Sequence, residues 1–270
     1  MTTTATRPGG AKPRAAISAR TLRTDRWWLA PLLTVTGLTA WVAYATVRVF
    51  MQKWYFLEGP GFKYLTPFYS PCVSKGCVPE AAEFGTFLPD HPLIPYAALS
   101  LPFLLLFRLT CYYYRRAYYR SFWMSPPACA VPDGHKTYSG ETRFPLIFQN
   151  AHRYAFYAAF VISLINTWDA VVSFEGTEGL GFGLGNIVLW VNVIMLWAYT
   201  VSCHSCRHII GGRLKHFSKH PVRYRMWTFV SRLNAKHMQL AWITLATLAL
   251  TDFYVMGVSA GWWNDLRFIN

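Results

Sequence analysis

The sequence predicts an all-α integral membrane bundle of five transmembrane helices, with a cytoplasmic N-terminus and the C-terminus outside. Three observations predict it. Of 270 residues, 53% are hydrophobic and only 14% are charged, the profile of a chain whose solvent is partly lipid. Five apolar stretches approach or reach the roughly 20 residues that a helix needs to cross a bilayer. Lys and Arg crowd the alternate segments between those stretches. The formal charge of +14 does not point to nucleic acid, because the basic residues flank apolar runs rather than forming one domain face. A membrane surface accounts for them.

Residues 1–26, "MTTTATRPGGAKPRAAISARTLRTDR", read as a basic cytoplasmic tail. They lack the apolar core and cleavage site of a signal peptide. A mitochondrial presequence is the alternative, weakened by the prolines and the Gly-Gly pair. The membrane domain is then 27–270. Its first span runs from Trp27 to Val49 and its second from Ile94 to Cys111, with Pro102 inside as a kink. The third covers Tyr154 to Thr167, and its helix is expected to begin near Gln149. The fourth is Asn186 to Ser202 and the fifth His237 to Val258. A long outer loop (51–93) and a long inner loop (112–148) join the early spans. "GTEGLGFGLG", between spans three and four, reads as a turn.

Charge sets the orientation. The tail carries six basic residues, Arg108 to Arg153 seven, and Arg207 to Lys236 eight. The other side holds Arg48, Lys53, Lys63, Lys75 and Arg267, so the balance is 21 against five. The outer loop contains "CVSKGC", and outside a bacterial membrane Cys72 and Cys77 are expected to close a small disulfide ring. In the inner loop, "CYYYRRAYYRSFWMSPP" alternates aromatics with arginines, as an aromatic belt on the positive side does.

With that topology, His152 lies at the inner end of the third helix, Cys203 and Cys206 at the inner end of the fourth, and His237 at the inner end of the fifth. Two imidazoles and two thiols therefore meet at one membrane level. Cys203 and Cys206 lie three apart, about 60° around a helix, so both thiols can face one object. His204 and His208 point elsewhere, and His216 and His220 fall in a solvated cationic loop. Zinc takes such a set as a structural clip. A [2Fe–2S] cluster of Rieske type takes it with two cysteines on one iron and two histidines on the other, although the usual CxH and CxxH loop pattern is absent. Haem b on two histidines is the competitor. A two-haem arrangement is excluded, since the first two spans contain no histidine. Interfacial histidines and packing cysteines without any metal are the bland alternative. Within the spans, Asn166 and Asn192 suit bonds across helices, and Asp169 and Asp252 suit exposure near the outer boundary. The spans offer too few ionisable groups for a transporter.

The segments "NAHRYAFYAAF", "SCHSCRHIIGG" and "NAKHMQLAW", with the aromatic inner loop, resemble the membrane-anchor subunit of succinate dehydrogenase (complex II), specifically the single-chain actinobacterial anchor of the mycobacterial Sdh1 type. The resemblance implies a multi-pass protein of the cell membrane that holds a flavoprotein subunit and an iron–sulfur subunit on its cytoplasmic face. It implies succinate oxidation on the flavoprotein, and electrons passing through this chain to menaquinone. The family's two-haem histidine pattern does not carry over. For the quinone headgroup, an apolar slot with a few donors is required, and Arg153, Tyr154, Trp227 and Ser231 are the inner-boundary candidates. A redox-inactive anchor is the remaining alternative.

Overall fold

A computed structural model describes residues 21–70, 72–74, 83–88, 94–135, 142–144 and 146–269. Its helices are α1 (Leu29–Met51), α2 (Tyr96–Thr110), α3 (Tyr112–Ser121), α4 (His152–Val172), α5 (Leu184–Val201), α6 (His204–Gly211), α7 (Pro221–Asn234) and α8 (His237–Ser259). Four segments are long and apolar enough to cross a membrane among the described residues: α1, α4 with the 3-10 turn before it, α5 and α8. The predicted second span forms α2, whose 15 residues rise only about 22 Å against a core of about 30 Å. It carries Pro102 in its interior, as expected.

The chain divides into two compact units, residues 1–40 with 109–151, and residues 41–108 with 152–270. In the first unit, the predicted inner loop is partly helical. "YYYRRAYYRS" contains no Gly or Pro, and it winds into α3 immediately after the extended Cys111. The Tyr119 hydroxyl donates to Gln149 Oε1 at 2.9 Å, and Gln149 Nε2 donates to the Tyr118 hydroxyl at 2.7 Å. The end of the basic tail is pinned as well: Thr21 Oγ1 and Arg23 Nη1 donate to the carbonyls of Ala130 and Cys129.

In the second unit, α5 packs against α8 and α4. Its buried positions Gly185, Leu189, Asn192, Leu196, Tyr199 and Thr200 recur at helical spacing along one face. Small residues let the partners approach, among them Ala155 and Ala159 on α4 and Ala241 on α8. Trp197 Nε1 donates to Thr167 Oγ1 at 2.8 Å, and Ser163 Oγ lies 3.2 Å from Thr200 Oγ1, so hydroxyls also bond across α4 and α5.

The predicted outer loop contains a hairpin of β1 (Phe56–Gly59) and β2 (Phe62–Leu65), in register Phe56↔Leu65. Pro60 and Gly61 make its turn, and Gly61 has φ 64°, which glycine adopts without a Cβ clash. Further along, β3 (Cys72–Ser74) pairs with β4 (Glu83–Leu88). Cys77 lies outside the described residues, and the expected Cys72–Cys77 bridge with it. The glycine-rich turn resolves into β5 (Glu175–Gly176), β6 (Gly179–Leu180) and β7 (Phe182–Gly183), the last pairing with β8 (Arg267–Ile269).

Asp252, expected near an exposed boundary, is fully buried. Arg48 meets it through Nε at 2.6 Å and Nη2 at 3.2 Å, and the Tyr44 hydroxyl donates to it at 2.6 Å. The physical reason is the position of Arg48: it lies 204 residues away in sequence but on the facing surface of α1.

Candidate functional site

The sulfur and nitrogen donors gather where α5 breaks. The sequence predicts Cys203 and Cys206 on one continuous helix, but α5 ends at Val201 and α6 begins at His204. Between them Cys203 is extended (φ −61°, ψ 142°) and caps α6, its Sγ accepting from the Ser205 N–H at 3.3 Å. Capping favours a residue that leaves the helical conformation while its side chain takes up an orphan amide. Cys206 follows one turn into α6. Both thiols are buried, and burial pushes the Cys206 thiol up from its ordinary value.

His152 opens α4 and lies with Nε2 3.1 Å from Cys203 Sγ. His237 opens α8, is 3% exposed, and has Nδ1 2.6 Å from Ser202 Oγ. Ser202 also donates its hydroxyl proton to the Tyr199 carbonyl at 2.7 Å. A serine has one proton to give, so both bonds form together only if His237 Nδ1–H is the donor to Ser202. In the neutral imidazole the lone pair then belongs to Nε2. Asn234, at the end of α7, donates to the Ser202 carbonyl at 2.7 Å and ties that helix to the same joint.

Aromatic rings back both imidazoles. Phe107 of α2 stacks on His152 (centroids 5.1 Å, 5° between planes), and Tyr199 stacks on His237 (5.0 Å, 12°). Phe107 and Tyr199 meet edge to face at 5.3 Å, so four rings form one file. Arg108 sits over the Tyr199 ring at 5.1 Å and the Trp41 ring at 5.9 Å.

Among the described residues, no three His, Cys, Asp or Glu side chains surround a single point as a metal ion requires. A two-iron cluster asks for something different, two pairs of ligands rather than a triad about one ion. The donors present match that demand in kind: two buried thiols at one joint, and two imidazoles, one with Nε2 at a thiol and one with its lone pair directed to Nε2 by Ser202.

The four quinone candidates divide into two groups around α6. Arg153 Nη2 lies 3.2 Å from His208 Nδ1, and Tyr154 beside it is 76% exposed. On α7, Arg207 of α6 donates to Ser231 Oγ at 3.0 Å and lies 4.7 Å over the Trp227 ring. Gly211 permits this packing, since a Cβ there would collide with Trp227. Sequence reasoning missed Ser202, Phe107, Tyr199 and Arg108. Ser202 and Tyr199 stand next to the cysteine pair in sequence, but Phe107 and Arg108 lie some hundred residues away and give no local signal.

The model of the actinobacterial succinate dehydrogenase subunit SdhC family matches residues 29–261. The chain belongs to that family. It is accordingly a membrane-anchor subunit of actinobacterial succinate dehydrogenase, a multi-pass protein of the bacterial cell membrane. The chain is similar to a solved chain in the structure titled "Mycobacterium smegmatis Sdh1 complex in the apo form", with 64% sequence identity and a TM-score of 0.86 over 95% of this chain and 97% of that one. No curated protein matches.

Proposed function

We propose that this anchor subunit holds a Rieske-type [2Fe–2S] cluster on Cys203, Cys206, His152 and His237, and carries electrons from an iron–sulfur subunit to a membrane quinone, menaquinone by family resemblance. The Ser202–His237 bond carries the reading. It orients a buried imidazole as outer partners orient metal-bound histidines elsewhere, with one ring nitrogen on a fixed acceptor and the other left to the metal. When bound, such a cluster supplies a one-electron carrier whose histidine ligands raise its potential above that of an all-cysteine cluster.

The chain's own residues do the rest. Ser202 and Asn234 fix the joint that presents Cys203, and the α6 cap holds its Sγ at the helix start. Phe107 and Tyr199 cover the imidazole faces and exclude water from them. The basic segments around Arg207–Lys236 face the cytoplasm, following the 21-to-five charge asymmetry. They form the surface on which the flavoprotein and iron–sulfur subunits dock. The similarity to a chain of the Sdh1 complex supports this partnership.

The test is the double variant His152→Ala with His237→Ala in the intact complex. It is expected to abolish succinate-driven quinone reduction and the paramagnetic signal of a histidine-ligated cluster, while the subunits still co-purify. Normal turnover would end the proposal. A Soret band in the unmodified complex would replace the cluster with haem.

A further inference from the structure

Helix α7 has three distinct sides. At about 100° per residue, Arg223, Trp227, Val230, Ser231 and Asn234 share the side that packs inward. Arg223 Nε donates to the Ile210 carbonyl at 2.8 Å, Arg207 lies over Trp227 and donates to Ser231, and Asn234 holds the Ser202 carbonyl. The second side is an apolar stripe about 60° wide, made by Val222, Met226, Phe229 and Leu233. The folded chain leaves most of it bare: Val222 is 69% exposed, Met226 49% and Phe229 59%. On the third side Arg225 and Arg232, both exposed, stand about 40–60° beyond one edge of the stripe. No Asp or Glu occurs from Gly179 to Thr251, so neither arginine finds an acid on α6, α7 or the adjoining part of α8. The depth of this helix is set by its attachments. Only Ser202 and Cys203 separate α5 from α6, and only Ala235 and Lys236 separate α7 from α8. Both α5 and α8 are long and apolar enough to span a membrane. Arg153, near the start of α4, still lies 3.2 Å from His208 of α6. The α6–α7 hairpin therefore has both feet at one membrane boundary.

We propose that α7 is an interfacial helix that binds anionic phospholipid of the inner leaflet, its apolar stripe among the upper acyl chains and Arg225 and Arg232 on the phosphates. An apolar face bordered by cations is the pattern of helices that lie in the plane of the headgroups. The arginine stems run along the apolar surface while their charged ends reach outward, and a guanidinium forks onto a phosphate through two hydrogen bonds. A phospholipid supplies the anion and the apolar chains in one molecule, at the height the two feet already fix. The side bearing Tyr224 and Thr228 stays open to the cytoplasm, and it is left for the partner subunits. Through Asn234 the same helix holds the Ser202 carbonyl, so its seating in the leaflet also steadies the joint that presents Cys203. That consequence rests on the redox reading above; the binding itself does not.

The experiment uses the whole complex, with Phe229 replaced by the photoreactive p-benzoylphenylalanine, in nanodiscs of equimolar phosphatidylglycerol and phosphatidylcholine. Mass spectrometry of the cross-linked chain is expected to find lipid adducts, with the anionic lipid favoured at least about tenfold by the two arginines. Arg225→Gln with Arg232→Gln should abolish that preference while adducts still form. If the complex does not assemble with the probe at Phe229, the same probe replaces Val222 on the same stripe. Equal yields from the two lipids in the otherwise unmodified complex would overturn the proposal. So would cross-links to a partner subunit or to a second copy of this chain in place of lipid. Succinate-driven quinone reduction, normalised to reduction of a soluble dye, is expected to be slower in phosphatidylcholine alone, and to lose that lipid dependence in the double arginine variant. Selective adducts with a lipid-independent rate would uphold the lipid site while removing its hold on the joint.

Discussion

The two ends of the second unit are built from different chemistry. At the end where α8 finishes, two acids are matched to bases, while Asp169 near the end of α4 keeps a buried Oδ2 without a hydrogen-bond partner. Arg48 holds Asp252, and Arg267 lies 3.3 Å from Asp265. Asp265 also accepts from the Tyr64 and Tyr254 hydroxyls and the Gly185 amide. At the end where α8 begins, the polar groups are thiols, imidazoles, hydroxyls and guanidinium. No Asp or Glu occurs anywhere from Gly179 to Thr251. The contrast separates a clasp from the proposed ligand site. Carboxylates paired with arginines are saturated and rigid, whereas sulfur and nitrogen donors are the set that iron and zinc prefer.

The largest expected effect is at the clasp. Asp252→Ala leaves Arg48, 1% exposed, as an unpaired buried cation. Removing one partner of a buried pair costs about 3–5 kcal/mol. The complex should melt markedly lower, and Arg48→Met with Asp252→Leu should recover most of the loss. Glu58→Ala is the control, since its contact with Lys63 is long (3.7 Å) and both side chains are partly exposed. It should change stability by less than about 1 kcal/mol. Equal effects at the two acids would erase the distinction between a buried clasp and an ordinary surface pair.

This contrast also governs what the sequence discloses. Periodic apolar runs and flanking charge place α1, α4, α5 and α8 within a few residues, because length and hydropathy are properties of each segment alone. The joint at Ser202–Cys203 is not legible that way: "AYTVSCHSCRH" carries no Gly or Pro, and the break depends on Asn234 and His237 binding Ser202 from other helices. The "EGPGF" turn of the β1–β2 hairpin was legible, with Pro and Gly in the two central positions, and a loop reading passes over it. The burial of Asp252 is not legible locally, because its partner Arg48 is distant in sequence. The convergence of His152 on Cys203 follows from topology, while the ring file beside it depends on α2 packing that no local pattern encodes.

At the ligand end, the sharper probe is Ser202→Ala. It deletes the acceptor of the His237 Nδ1–H and leaves the imidazole itself in place. The stability cost is modest, about 1 kcal/mol. The effect on a bound metal should be larger, since outer partners of ligating histidines are worth about 10–100-fold in affinity. The expected result is a nearly unchanged melting temperature with reduced cluster content or shifted g values, and recovery in Ser202→Thr. If the spectrum stays the same, Ser202 does not set the ring, and the two ends differ less than their composition suggests.

The smallest effect returns to the clasp, through Tyr69. This residue follows β2, outside the spanning helices, and is fully buried. Its hydroxyl lies 2.7 and 2.9 Å from the carbonyls of Arg48 and Val49, and the Gln52 amide donates to it at 3.0 Å. Burial pushes the phenol up to about 12, opposed by the Gln52 amide and by Arg48. In the unfolded chain a tyrosine titrates near about 10. Between those values the unfolded state binds fewer protons than the native state, so stability falls as pH rises. The contribution is complete below about pH 10 and is lost progressively toward about pH 12. Melting curves from pH 8 to 11 should therefore bend downward in the unmodified subunit. Tyr69→Phe should start about 1 kcal/mol lower and bend less above pH 10, because the group that titrates there has been removed while Arg48 and Asp252 remain paired.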